Sequence, residues 1–199
     1  RLNRAVELTE AGMALAPGAK DGFRALSAAW QQTRRVLDTT SLTVTAGPAL
    51  TAKWLAPRLY DFARSPPEID LRFSATLRNV DLQRDGVDVA FRFGYGSDEG
   101  LVSLPARAEW LTPVMTPDLC AQFPTPASLR AAPLIYDDSI SFLSPPCDWP
   151  AWFKAMGLEF TPGSGTHFSN ADHAIDAACA GLGVALGRRP MIIKDVQEG

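Results

Sequence analysis

From Gly12 the chain places small or apolar residues at Ala16, Ala19, Phe23, Leu26, Trp30, Thr33 and Leu37, in steps of four and three. That spacing sets one stripe along a helix, small at its start and bulky later. "LTEAG" at 8–12 supplies a start, with Thr9 as the cap and acidic Glu10 at the positive end of the dipole. The spacing predicts a helix running to about Asp38, a rod of roughly 43 Å, with Pro17 in its first turn or at a kink. Beyond a short polar linker the period changes. "LTVTAG" at 42–47 predicts a strand broken by Gly47 and Pro48, and Leu50, Trp54, Leu55, Leu59 and Phe62 then follow at helical spacing. A second strand is predicted at 69–75. "NVDLQRDG" predicts a short helix closed by Gly86, and "VDVAFRF" a third strand. Strand and helix alternate, which implies parallel crossovers and a doubly wound sheet.

After residue 100 a second α/β pattern begins. "EWLTPVMTP", "PLIYD", "GTHFSN" and "GVALG" predict strands; "WPAWFKAMG", "ADHAIDAACAGLG" and residues 191–199 predict helices. The 199 residues, 46% of them apolar, allow one substantial core or two small lobes. A net charge of −3 is not the footprint of a nucleic-acid binder, yet residues 1–35 are locally basic. There is no span for a membrane and no signal peptide, which predicts a cytoplasmic protein.

Candidate chemistry is sparse. Cys120, Cys147 and Cys179 are widely spaced, which predicts reduced thiols rather than disulfides or a metal site. His167 and His173 lie six apart, and no GxSxG or HExxH occurs, so neither a metal, a cofactor nor a catalytic residue is expected. Gly94 and Gly96 precede no helix and are followed by Asp98 and Glu99, which reads as a turn rather than a phosphate cradle. In an open parallel sheet, ligands bind beyond the carboxyl ends of strands. Those ends fall at Gly47 and Pro48, at Thr76 and Leu77, and at Arg92, Phe93 and Gly94. Ser169 and Asn170 occupy a similar strand-to-helix junction, where helix capping and ligand contact are both open. Arg92 faces either a ligand or an acid such as Asp98. The apolar stripe serves either dimerisation, through Phe23, Leu26, Trp30 and Leu37, or packing on its own domain.

"ELTEAGMALAP", "LTVTAGPALTAKWLAPRLYDFARSPPEIDLRFSAT", "VDLQRDGVDVAFRFGYG", "DWPAWFKAMGLE" and "GVALGRRPMI" together resemble a LysR-type transcriptional regulator, in the branch of the glycine-cleavage activator and the beta-lactamase regulators. The resemblance covers nearly the whole chain. It implies a two-lobed, periplasmic-binding-protein-like α/β effector domain, preceded by a linker helix and a wing remnant of a winged helix-turn-helix. The implied division is 1–9 for the remnant, 10–38 for the linker helix, 42–111 with 188–199 for lobe I, and 112–187 for lobe II. Arg1 and Arg4 would be DNA-contacting remnants, and this chain alone is expected not to recognise an operator.

The implied effector residues are Gly47, Pro48, Ala49, Thr51, Thr76, Leu77, Arg92, Phe93, Gly94, Tyr136, Ser169 and Asn170. Ala49 stands where relatives place a hydroxyl, which points to a less polar effector or to none. Implied partners are promoter DNA through the N-terminal domain, an anionic or amino-acid-like metabolite, a second or further copies in a homodimer or homotetramer, and RNA polymerase. A solute-binding protein of a transport system is the alternative, and an enzyme the third.

Overall fold

A computed structural model describes residues 7–37, 40–64, 69–95, 100–105, 109–161 and 163–198. The expected roles of Arg1, Arg4 and Asp98 fall outside the described residues. The chain groups into two compact units. The first takes 1–45, 66–74 and 78–90; the second takes 46–65, 75–77 and 91–199.

The first unit opens with helix α1 (Glu10–Leu37). Thr9 caps it as the sequence predicts, its Oγ1 accepting from the Gly12 N–H at 3.2 Å, and Pro17 lies inside the helix. Phe23, Leu26, Trp30 and Leu37 remain 66–80% exposed, so packing of α1 against the short helix α4 (Leu82–Asp85) does not bury the stripe. Strands β1 (Ser41–Ala46), β2 (Asp70–Ala75) and β3 (Val89–Phe91) form a sheet in the order β2-β1-β3. Asp70 N–H bonds to Thr40 O and Thr76 N–H to Ala46 O, at 2.8 and 2.9 Å. The residue offset is the same in both, which is the signature of parallel pairing. Asp81 caps α4 through the Arg84 N–H, and Gly86 closes it at φ 72°, a conformation that favours a residue without Cβ. β3 is shorter than the predicted strand, because the chain leaves the ladder at Arg92, whose guanidinium turns back to Phe91 O at 3.1 Å.

In the second unit, Gly47 leads into helix α2 (Pro48–Leu50), a π-helical stretch (Thr51–Leu55) and helix α3 (Ala56–Arg64). Strand β4 (Leu111–Val114) pairs antiparallel with β7 (Ala185–Arg188), and β5 (Ile135–Asp137) pairs parallel with β6 (Thr166–Phe168). Around them lie α5 (Pro117–Gln122), α6 (Trp149–Ala155), α7 (Ala171–Cys179) and α8 (Arg189–Glu198). The sequence pattern does not reveal α5, a six-residue helix with too few turns for a visible period.

Trp149 and Phe153 are fully buried with Leu129, Leu134 and Val184, and Trp149 Nε1 donates to Ile135 O at 2.9 Å. Burying one such side chain contributes about 2 kcal/mol. A second cluster, Ala49, Ala171, Ile175, Met191 and Ile192, clamps the starts of α2 and α7 to α8. Lys53 adds a polar tie, bonding Asp176 at 2.8 Å and Asp195 at 3.5 Å. This core fixes the segments that shape the candidate site.

Candidate functional site

A cavity of about 90 Å³ opens in the second unit. Three of its walls come from the carboxyl ends of β1, β2 and β3 and the residues just beyond them: Gly47, Pro48, Ala49 and Leu50; Thr76 and Leu77; and Phe91, the last residue of β3, with Arg92 and Phe93. Asn170 and Ala171, at the start of α7, form a fourth. Ser139, Ile140, Phe142, Glu109, Arg188 and Met191 complete the lining.

Eight of the twelve expected effector residues therefore border one space. Asn170 precedes α7 in extended backbone and makes no side-chain capping bond, so capping does not account for its amide. Four expected residues do not reach the cavity. Thr51 Oγ1 donates to Gly47 O at 2.9 Å, the back-bond that a helix offers any threonine four residues on. Gly94 lies just beyond Phe93, nearest the Leu143 side chain. Ser169 is exposed and lines neither this cavity nor the next. Tyr136 stacks on His167 at 4.5 Å and borders a separate cavity of about 190 Å³ with Asp137, Asp138 and Asp148.

Two charged residues that the sequence reading passes over stand out. Arg188, the last residue of β7, is 8% exposed. Its guanidinium lies over the Phe93 ring at 4.6 Å and 3.8 Å from Asp137 Oδ2. Burial works against its charge, lowering its pKa, while Asp137, Glu109 and Cys147 oppose that shift. Desolvation likewise raises the pKa of Glu109, with Arg188 pulling the other way. Burial also lowers the pKa of Arg92. Such a lining suits a small molecule with one charged end, because its polar groups are few and its walls mostly apolar.

Adjacent acids take different partners here. Asp137 faces Arg188, whereas Asp138 meets His167 Nδ1 at 3.0 Å. Among the described residues no cluster of His, Cys, Asp or Glu could hold a metal ion, and no helix is long and apolar enough to cross a membrane.

Residues 37–199 match the LysR substrate binding domain. The chain belongs to the LysR family. The HTH-type transcriptional activator AmpR of Rhodobacter capsulatus is 32% identical over 178 residues, covering 89% of this chain and 60% of that protein. The glycine cleavage system transcriptional activator of Escherichia coli K12 is 32% identical over 203 residues, covering 100% of this chain and 65% of that protein. The chain thus spans 60–65% of the length of these LysR relatives.

Among solved structures, the effector domain of AmpR from Pseudomonas aeruginosa superposes with a TM-score of 0.67 at 35% identity, covering 79% of this chain and 75% of that one. CrgA, a LysR-type regulator of Neisseria meningitidis, shares the fold over the whole chain and 68% of its own, at TM-score 0.61 and 19% identity. These LysR relatives are transcriptional regulators rather than enzymes, and nothing in them supports a transport role.

Proposed function

We propose that this chain is the effector-binding and dimerisation region of a LysR-type, DNA-binding transcriptional regulator, and that the 90 Å³ cavity is its effector site. The observation that carries this is the convergence of three strand-end segments and the start of α7 on one cavity, in a chain matching the LysR substrate binding domain over 37–199.

Lobe I is assigned to 42–111 with 188–199, lobe II to 112–187, and the linker helix to 10–38. The exposed stripe of Phe23, Leu26, Trp30 and Leu37 is the dimer seam, giving a homodimer or homotetramer in the cytoplasm. Promoter DNA is read by a helix-turn-helix ahead of residue 10, and RNA polymerase is a further partner. A small metabolite in the cavity favours one of two arrangements of the regulator, and the linker helices carry that shift in population to the DNA.

The test is a thermal-shift screen of amino acids and small carboxylates. A ligand at about 100 times its Kd adds about 2.7 kcal/mol. Thr76→Trp, which fills the cavity from a half-buried position, should abolish the response. A response that survives this substitution refutes the site.

A further inference from the structure

The side chain of Arg188 is 9% exposed, lines the cavity, and donates no hydrogen bond to the described residues. Asp137 balances its charge without satisfying it. One Asp137 oxygen takes the Ser139 N–H at 2.9 Å, and the other stops 3.8 Å from the guanidinium, beyond hydrogen-bond reach. Phe93 covers one face of the guanidinium at 4.6 Å, which leaves the in-plane N–H donors as the groups still seeking acceptors. A planar fork of donors is the shape that a carboxylate matches with two parallel bonds.

The rest of the lining narrows the ligand further. Arg92 and Arg188 share the lining with Glu109, and Asp137 already stands beside Arg188, so the wall has no excess of positive charge for a second carboxylate. Leu77 and Phe142 line the same cavity while remaining 54% and 72% exposed, and these apolar surfaces are uncovered until something sits against them. A volume of about 90 Å³ accommodates a compact molecule.

We propose that Arg188 anchors a compact monocarboxylate with an apolar body, the carboxylate on the guanidinium and the apolar end against Leu77 and Phe142. This rests on the assignment of the cavity as the effector site.

The test compares butanoate and benzoate with butanamide and benzamide, titrated calorimetrically into the 199-residue chain at constant ionic strength. Loss of a charge-assisted pair predicts at least about tenfold tighter binding of an acid than of its amide. Arg188→Met should erase that preference and Arg188→Lys should restore part of it, with circular dichroism verifying the fold of both. Glu109→Gln, which keeps Arg188 intact, should tighten the acids several-fold and leave the amides unchanged. Amides binding as tightly as acids, or no acid binding at all, overturns the role of Arg188. If acids and amides bind equally and Thr76→Trp blocks both, the cavity stands and only the carboxylate anchor falls. If Thr76→Trp blocks neither, the cavity itself is the wrong site.

Discussion

Arg188 and Asp137 face each other across 3.8 Å with only 9% and 10% of their side chains exposed. Asp137 is the foremost of the charges that offset the burial of Arg188. Asp137→Asn leaves the guanidinium without that charge and should cost about 3 kcal/mol in a urea-unfolding experiment. Arg188→Met should cost a similar amount, and the double variant less than the two single losses added, because each single change strands the remaining charge. Additive losses would show that the pair is not coupled.

Glu109 gives a pH signature. Desolvation outweighs the pull of Arg188, so the folded state holds its proton more tightly than the unfolded state does. Stability should therefore fall as pH rises through the window between the ordinary carboxylate value and the raised one. Above that window the cost is constant; below it, it vanishes. Glu109→Gln should raise Tm at neutral pH and leave it unchanged in acid, as read by calorimetry across pH.

Lys53 behaves in the opposite sense. Burial works against its charge, but the bonds to Asp176 and Asp195 prevail and its pKa is raised. That stabilisation is complete below the unfolded lysine value and is lost as pH climbs through the folded one. With Asp176 well exposed, Lys53→Met should cost only about 0.5–1 kcal/mol at neutral pH. The gap between variant and parent should close in strongly alkaline urea titrations.

Trp30 sits in mid-stripe on α1 and is 66% exposed. Trp30→Glu places a charge where the proposed dimer buries an aromatic ring. Light scattering should then show monomers or weakened association at concentrations where the parent chain associates. An unchanged mass would remove α1 from the interface.

Local signals carried much of this fold. Thr9 before an apolar repeat, Gly86 after a short helix and Gly47-Pro48 after a strand are chemistry confined to a few neighbouring residues, and each marks an element end in the structure. The strand-end segments of the cavity were legible for the same reason. Arg188 and Glu109 were not, since their significance comes from Phe93 and Asp137, brought close only by tertiary packing. Thr51, which only the family resemblance implied, has its hydroxyl bonded to Gly47 O, the acceptor that the helix places within reach. The stacking of Tyr136 on His167 is likewise a contact that the sequence does not disclose.

The most direct test of the effector site is hydrogen exchange, read by mass spectrometry with and without the ligand that most raises Tm in the metabolite screen. Protection should concentrate at residues 47–50, 76–77, 91–93 and 170–171, the segments that border the cavity. Protection confined to other segments, with these four exchanging as fast as in the unliganded chain, would contradict the assignment.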